Sequence, residues 1–233
     1  MEKPAQALDR RILALRAKID IHPARIFADR LIDATSQRAT VRTKVRSKTW
    51  VIVEIGPTDF GEVSNVLRNY VNKLRFGNIR YVGIDPFFDR DPEARLKEFK
   101  RSARQGVNVE FRRHSILDGI PFGRSSVDEI HAHAIVIWKG GRRHRYVGSG
   151  RIQRRIAEKF LQEAKNALKK GGKLFISGNG EYTCAVHDFY YLISRDDDWY
   201  RDHGFRLVQR GGREEAAVFS SYGPKHLVVL EKL

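Results

Sequence analysis

From Trp50 onward, short and nearly uninterrupted runs of apolar residues alternate with longer stretches in which apolar residues recur at helical spacing. The first run covers 50–55, and the stretch over 63–74 that follows it places its apolar residues on one helical face. Strands that are buried on both faces have such runs, because helices cover both sides of a parallel sheet. The alternation therefore predicts an α/β domain built on a mostly parallel sheet.

Strands and helices can be placed along the chain from these patterns. The predicted strands cover 50–55, 80–84, 107–112, part of 127–137, 173–177, 205–210 and 226–230, and the predicted helices cover 63–74, 92–104, 152–168 and 197–203. Gly171 and Gly172 indicate the end of the third helix, since glycine commonly follows a helix C-terminus. We expect a Rossmann-like, mostly parallel seven-stranded sheet with helices on both faces and an antiparallel C-terminal hairpin.

The first 48 residues differ in pattern from the rest and predict a separate N-terminal extension. Apolar residues recur at helical spacing within 5–34, where Pro23 can open a second helix. Residues 35–48 mix Ser, Thr, Arg and Lys without apolar periodicity, which is typical of a solvated linker. We expect a small basic helical extension over 1–48 and one domain over 49–233.

The charge of the chain is strongly positive and is concentrated in two regions. Its 44 Lys and Arg against 28 Asp and Glu give a formal net charge of +16 and a pI of about 10.2. Residues 1–48 hold 12 basic and 5 acidic residues, and residues 139–170 hold 11 and 2. This regional excess favours a polyanionic partner such as RNA. A basic surface that only aids solubility is the alternative.

Other features of the composition exclude several classes of protein. The single cysteine, Cys184, excludes a disulfide scaffold and a cysteine-rich zinc site. The chain has no run of about 18 apolar residues and no secretory signal, so we expect a cytoplasmic protein with no membrane partner. Asp196, Asp197 and Asp198 directly precede Trp199 and Tyr200 at the start of a predicted helix and suit its dipole better than a metal ion, so no metal site is expected.

The residues that follow the first two strands form a candidate ligand site. The sequence VIVEIGPTDFG runs from an apolar strand through Glu54 and Gly56 to Gly61, near which a helix is predicted to start. Glycine at 56 lets the backbone approach a ligand closely, and the N–H groups of the helix would point at the same place. The next strand ends at Asp85, whose carboxylate can accept hydrogen bonds from both hydroxyls of a ribose. An ordinary βα turn and a helix-capping aspartate are the alternatives.

Four segments in this order, VEIGPTDFG, YVGIDP, SILDGIPFGRSSVDEIHAH and EAKNALKKGGKLFIS, resemble successive motifs of class I S-adenosylmethionine-dependent methyltransferases. The resemblance covers approximately residues 50–233. It implies S-adenosylmethionine as the cofactor. By this resemblance Glu54, Gly56 and Gly61 would line the methionine part of the cofactor, and Asp85 would hold the ribose.

The same resemblance implies that the adenine lies against the residues after the third strand, which are Ser115, Ile116, Leu117 and Asp118. The chain departs from the family pattern in this pocket. Thr58 and Phe60 stand where the family has glycine, and Ile116 stands near the place of an acidic residue that binds the adenine amine. We expect Asp118 to be the substitute acceptor. A fold that has lost cofactor binding is the alternative.

Methyl transfer asks little covalent chemistry of a protein, because the sulfonium is already activated. A base is useful where the acceptor must lose a proton, and we expect His131 and His133, at the end of the fourth strand, to serve. Ordinary strand-end histidines are the alternative. The sequence HAHA here differs from the Asp/Asn-Pro-Pro-aromatic tetrapeptide of exocyclic amine methyltransferases, and Cys184 lacks the companion cysteine of cytosine-C5 enzymes.

An arginine-rich segment, WKGGRRHRYVGSGRIQRR over 138–155, follows the fourth strand, where a substrate of this fold class would enter. Arginine can bind phosphate with two hydrogen bonds, and aromatic rings stack on unpaired bases. The candidate RNA-binding residues are Lys139, Arg142, Arg143, Arg145, Tyr146, Arg151, Arg154 and Arg155. A solvated charge run, or a site for an acidic protein or a phosphorylated metabolite, is the alternative.

Three functions are compatible with these patterns. The favoured one is an S-adenosylmethionine-dependent methyltransferase that acts on RNA, either rRNA or tRNA. The second is a small-molecule methyltransferase whose helical extension covers an apolar pocket. The third is a non-catalytic RNA-binding or assembly factor that kept the fold and lost the cofactor.

Overall fold

The structure, a computed structural model, describes residues 48–57, 64–86, 92–133, 138–139, 145–146, 150–178, 190–212 and 226–233. The predicted N-terminal extension lies outside these residues apart from Lys48, so it stays a prediction. No helix within the described ranges is long and apolar enough to cross a lipid bilayer.

The described residues form one large sheet, one small ribbon and several helices. The strands are β1 (Trp50–Ile55), β2 (Ile79–Ile84), β3 (Val107–Arg112), β4 (Val127–His133), β5 (Trp138–Lys139), β6 (Arg145–Tyr146), β7 (Leu168–Gly178), β8 (Phe205–Gly211) and β9 (His226–Lys232). The helices are α1 (Pro92–Ser102), α2 (Gly150–Ala167), α3 (Tyr190–Ile193) and α4 (Asp197–Asp202). β5 and β6 pair only with each other, in an antiparallel ribbon.

The strand order of the large sheet is β3-β2-β1-β4-β7-β9-β8. Neighbouring strands from β3 to β7 are parallel, whereas β9 is antiparallel to both β7 and β8. The predicted Rossmann-like sheet with an antiparallel C-terminal pair is therefore confirmed. After β3 the chain returns to the other side of β1 to form β4, so the strand order reverses between β1 and β4. Open α/β sheets bind ligands at such a switch point, beyond the carboxyl ends of the strands.

Apolar side chains pack on both faces of the sheet, as the uninterrupted runs predict. On one face, strand residues pack with Phe160 and Leu161 of α2. On the opposite face, they pack with Phe99 of α1 and with the helical segment that follows β1. Ile52 and Val53 belong to different clusters, because successive side chains of a strand point to opposite faces.

The helical segment after β1 is irregular, although its spacing predicts an ordinary helix. It consists of a π-helical turn over Val66–Tyr70 and a 3₁₀ turn over Val71–Lys73. The predicted apolar face is nonetheless buried: Val66, Leu67, Tyr70, Val71 and Leu74 are all at most 2% exposed. Spacing identifies the buried residues, whereas the width of each turn depends on how the segment packs against the sheet.

The predicted helix over 152–168 is confirmed to within two residues at its start and one at its end, whereas the prediction that Gly171 and Gly172 mark that end is wrong. The helix ends at Ala167, and β7 begins at the next residue. Pairing between β4 and β7 shifts between Val127 and Glu129, so the two glycines lie in an irregular stretch of strand. Gly171 has a φ of +73°, and a Cβ at Gly172 would lie 3.0 Å from the carbonyl oxygen of Asp128. Glycine is needed at this point for the bulge and for a close backbone approach.

Candidate functional site

The carboxyl ends of β1 and β2 meet at the switch point, where Gly56 and Asp85 follow the two strands. Gly56 has a φ of +65°, in the left-handed region that favours glycine, and its amide donates to the carbonyl of Ile84 at 2.8 Å. Gly83 is packed so closely that a Cβ there would lie 2.8 Å from Cγ of Pro57. The end of β1 therefore presents backbone with no side chain at Gly56. Gly61, Thr58 and Phe60 lie outside the described residues.

Glu54, the predicted contact for the methionine part of the cofactor, is buried at the end of β1. Its carboxylate accepts hydrogen bonds from the hydroxyl of Ser64 at 2.5 Å and from the hydroxyl of Tyr81. Burial, together with the negative charge of Glu54, raises the pKa of the Tyr81 phenol well above its ordinary value. The Ser64 hydroxyl in turn accepts from the amides of Val66 and Leu67. Glu54 thus fixes the start of the helical segment against the sheet, and its predicted ligand contact stays a prediction.

Asp85 directly follows β2 and is 5% exposed. Its amide donates to the carbonyl of Arg112 at 3.1 Å, and its own carbonyl accepts from the amide of His114 at 3.3 Å. These bonds tie the residue to the end of β3. They fix a buried carboxylate next to the turn at Gly56, the place that the sequence predicts for a ribose contact.

The residues predicted to meet adenine form a short turn after β3. Ile116–Asp118 is a 3₁₀ turn, and the Ser115 hydroxyl accepts from the amide of Leu117 at 3.2 Å. Ile116 packs against the core, whereas Leu117 and Asp118 are exposed. Lys159 of α2 donates to the carbonyl of Leu117 at 2.8 Å, which ties the turn to the helix. The turn lies at the carboxyl end of β3, two strands from β1.

The two predicted histidines belong to a buried chain of hydrogen bonds along one face of β4. Nδ1 of His131 lies 3.2 Å from Nε2 of His133, and Nε2 of His131 lies 3.2 Å from Glu129. The Tyr70 hydroxyl donates to the other oxygen of Glu129 at 3.1 Å. At the opposite end, Nδ1 of His133 lies 2.8 Å from the hydroxyl of Ser177. The two histidines therefore lie on one side of the strand, as residues at every second position do.

Both rings are held in a setting that favours the neutral imidazole. Burial lowers the pKa of His131, and the hydrogen bond and charge of Glu129 oppose this only in part. Burial also lowers the pKa of His133, well below the ordinary value, and His131 lowers it further. The ring of His131 stacks on Phe175 with centroids 4.3 Å apart, which fixes its plane.

Sequence reasoning missed Glu129, Ser177 and Tyr70 as members of this chain. The spacing of Glu129, His131 and His133 at every second residue was a signal, since such residues share a face of a strand. Ser177 is adjacent to His133 because of the register between β4 and β7, which no local pattern contains. Tyr70 reaches Glu129 from the irregular helical segment across 59 residues of sequence.

The structure describes the predicted RNA-binding segment in part. Arg154 and Arg155 are exposed on α2, and Arg154 donates to Glu158 at 2.8 Å. Of the remaining candidates, Lys139, Arg145 and Tyr146 lie in the ribbon of β5 and β6. In its register, Lys139 is opposite Arg145 and Trp138 is opposite Tyr146. Arg142 and Arg143 lie outside the described residues, and Arg151 is described only by its place in α2.

The three aspartates lie at the start of α4, as predicted: Asp196 is the N-cap residue, and Asp197 and Asp198 lie in the first turn. The side chain of Asp196 accepts from the amide of Trp199 at 2.8 Å, so it caps the helix. Asp198 pairs with Arg201 at the surface. Among the described residues, no group of three or more His, Cys, Asp or Glu is arranged to hold a metal ion. Cys184 lies outside them.

No family model and no curated protein matches the chain. Solved structures do match. One is a SAM-dependent methyltransferase from Methanosarcina mazei, with 14% identity, a TM-score of 0.46, and coverage of 81% of this chain and 94% of that chain. Another is the 16S rRNA (adenine(1408)-N(1))-methyltransferase from Catenulisporales acidiphilia, with 13% identity, a TM-score of 0.47, and coverage of 82% of this chain and 94% of that chain. A third is a TehB-like SAM-dependent methyltransferase from Corynebacterium glutamicum, with 17% identity, a TM-score of 0.44, and coverage of 99% of this chain and 100% of that chain. The fold assignment rests on the strand order described above.

Proposed function

We propose that this chain is a class I S-adenosylmethionine-dependent methyltransferase that acts on RNA, with rRNA or tRNA as the substrate. One observation carries the proposal. At the switch point of the sheet, the bare backbone turn at Gly56 and the buried carboxylate of Asp85 follow neighbouring strands, and His133 ends the strand on the other side of β1. A donor site and a base for the acceptor would therefore lie side by side.

The residues at the switch point fit the cofactor in shape and chemistry. A turn without a Cβ at Gly56 can admit the methionine part, and a 5%-exposed carboxylate at Asp85 suits the two ribose hydroxyls. S-adenosylmethionine supplies an electrophilic methyl group on a sulfonium. The part left to the protein is to hold the acceptor in line with that group, to exclude water and to take a proton where one must be lost.

The distribution of charge supports RNA as the partner. The ribbon of β5 and β6 and the first turns of α2 directly follow β4 in the chain, and they carry most of the candidate basic residues. Arg154 and Arg155 are exposed on α2. A basic surface that continues from the strand bearing His133 would hold a phosphate backbone while one nucleotide reaches the switch point.

Calorimetric titration of S-adenosylmethionine into the full chain tests the cofactor site. We expect binding by the wild type and at least tenfold weaker binding by Asp85→Asn, since about 1.5–3 kcal/mol is typical of a hydrogen bond to a charged group. Asp198→Asn is the matched control, because that carboxylate is 87% exposed and lies at the start of α4. Absence of binding by the wild type at millimolar cofactor would contradict the proposal and favour a non-catalytic RNA-binding factor.

Transfer of label from methyl-labelled cofactor to total RNA tests the substrate. We expect label in RNA with the wild type and its loss when Arg142, Arg143 and Arg145 are all changed to Gln. The control replaces Lys97, Lys100 and Arg101 on α1 with Gln, which removes the same charge from exposed positions on the sheet face opposite α2. Label that appears only in small metabolites would identify a small-molecule methyltransferase instead.

A further inference from the structure

A buried chain of hydrogen bonds joins Tyr70, Glu129, His131, His133 and Ser177. When Glu129 is ionised, the donor and the acceptor of each bond in this chain are fixed. A carboxylate only accepts hydrogen bonds, so Nε2 of His131 carries a proton, and Nδ1 of that neutral ring is left as an acceptor. The bond between the rings is then donated by Nε2 of His133. Nδ1 of His133 is also left as an acceptor, and the Ser177 hydroxyl donates to it.

His133 is the open end of this chain. It is 8% exposed, whereas Glu129, His131 and Ser177 are 0% exposed. It is the last residue of β4, beside the switch point. Its Nδ1 atom already accepts a hydrogen bond from a hydroxyl. When the Ser177 hydroxyl turns away about its Cα–Cβ bond, an O–H or N–H group of a substrate can donate to the same atom.

We propose that His133, His131 and Glu129 form a proton relay that draws a proton from the methyl acceptor, and that the acceptor is therefore an RNA group that must lose one. That class comprises hydroxyl groups and base N–H groups, and it leaves out ring nitrogens that react through a free lone pair. The proposal rests on the proposed function and deepens it. His133 is the catalytic base, Tyr70 is a positioning residue, and the Ser177 hydroxyl occupies Nδ1 of His133 until the acceptor replaces it.

The proton path balances the charges of the transfer. As the acceptor bonds to the methyl carbon, the carbon–sulfur bond breaks and leaves its electron pair on sulfur. The acceptor proton passes to Nδ1 of His133, the proton on Nε2 of His133 passes to Nδ1 of His131, and the proton on Nε2 of His131 passes to Glu129. The carboxylate loses its negative charge as the sulfonium loses its positive charge.

A carboxylate at the inner end is what makes the relay useful. Burial lowers the pKa of both histidines, so neither buried ring is suited to keep a positive charge. Among the described residues, the ionisable groups beside the chain on this face include Tyr70, which donates to Glu129, and Glu54 of β1, which is the register partner of His131 and accepts from Tyr81. Once Glu129 has taken the proton, Glu129, His131 and His133 are all neutral.

Long-range ¹H–¹⁵N NMR spectra of the full chain without ligand test the direction of the chain independently of activity. At neutral pH we expect both rings to be neutral and to carry their proton on Nε2. In Glu129→Gln the amide can donate to His131, so we expect a change of tautomer in that ring. A proton on Nδ1 of His133 in the wild type, or an imidazolium at either ring, would overturn the relay.

Methyl-transfer kinetics test the role of the relay. Glu129→Gln is expected to lower kcat about 100-fold, within the range of lost general base catalysis, while KM changes little. Its kcat should rise with pH above neutrality, because the acceptor must then ionise by itself, whereas the wild-type rate is level there. Glu98→Gln, on the exposed side of α1, is the control and should match the wild type. Ser177→Ala removes the group that competes for Nδ1 and should raise kcat/KM.

Equal kcat in Glu129→Gln and the wild type, or loss of activity in a folded Ser177→Ala, would overturn the relay while leaving the methyltransferase proposal intact. Failure of the wild type to transfer methyl would instead overturn the proposed function. Digestion of labelled RNA to nucleosides tests the acceptor class. We expect the methyl group on an oxygen or on a nitrogen that has lost its proton, and a methyl group on a lone-pair ring nitrogen, giving a cationic base, would contradict the inference.

Discussion

Gly83 lies in β2 between two side chains that leave no room for a Cβ. Such an atom would lie 2.8 Å from Cδ1 of Phe111 and from Cγ of Pro57. We expect Gly83→Ala to lower the free energy of unfolding by about 1–3 kcal/mol, the usual cost of overpacking. Gly77→Ala is the matched control, because nothing lies within 4 Å of a Cβ at that position. Urea unfolding measures both, and equal stability of the two variants would contradict the steric argument.

The buried histidines make stability depend on pH. Burial lowers the pKa of His131 and His133 in the folded state. Below the ordinary pKa, the unfolded chain therefore binds more protons at these two residues than the folded chain does. Their contribution is complete above the ordinary value near 6.5 and is lost as the pH falls from there towards the folded-state pKa. We expect the free energy of unfolding to decrease by up to about 1.4 kcal/mol per pH unit for each histidine.

Urea unfolding at a series of pH values between 7.5 and 5.5 measures this slope. His133→Gln should reduce the slope, because one of the two groups is then absent. His226→Gln serves as the control, since His226 is exposed at the start of β9. A slope that His133→Gln leaves unchanged would show that other groups cause the acid sensitivity.

At the scale of the element, Asp128 joins three strands through one side chain. It is 5% exposed in β4, accepts from the Val51 amide of β1 at 2.8 Å and pairs with Lys169 of β7 at 2.5 Å. We expect Asp128→Ala to destabilise the fold by about 2–4 kcal/mol, because a buried amide and a partly buried ammonium lose their acceptor. Asp198→Ala should change stability by less than about 0.5 kcal/mol, since its ion pair is exposed. Thermal unfolding measures both, and similar losses would contradict this account.

The sequence predicts the strands of this sheet well and its irregular elements poorly. β3 covers the predicted 107–112, where Val107, Val109 and Phe111 alternate with polar residues in a pattern that is visible locally. The role of Gly171 and Gly172 could not be predicted in the same way, since two glycines suit a helix end and a bulge equally well. Only pairing with β4 decides between them.

The same distinction holds at the candidate site. The strand-end residues Gly56, Asp85 and His133 were predictable, because the carboxyl ends of parallel strands mark ligand sites in this class of sheet. Ser177 and Glu129 were not assigned, since their roles depend on which strands are neighbours and in which register. Local patterns identify the candidate residues at each strand end, whereas strand pairing determines which side chains are neighbours.

At the scale of the whole molecule, the position of the positive charge matters more than its total. A formal net charge of +16 attracts any polyanion, so RNA binding alone does not show where the RNA lies. The two triple variants described above each lower that charge by the same amount, one in the segment after β4 and one on α1. If specific phosphate contacts hold the RNA, the first variant should lose more RNA affinity than the second. If general attraction holds it, both variants should lose affinity equally.

The dependence of RNA affinity on salt separates the two effects. Each phosphate neutralised on a single strand adds about 0.7 to the slope of log K against log salt, because counterions are released. We expect the variant with Gln at Arg142, Arg143 and Arg145 to lose about 2 from this slope, and the α1 variant to lose much less. Filter binding to single-stranded RNA over a range of salt concentrations measures both slopes. Equal losses would mean that RNA is held by charge spread over the molecule, and the segment after β4 would then have no special part in recognition.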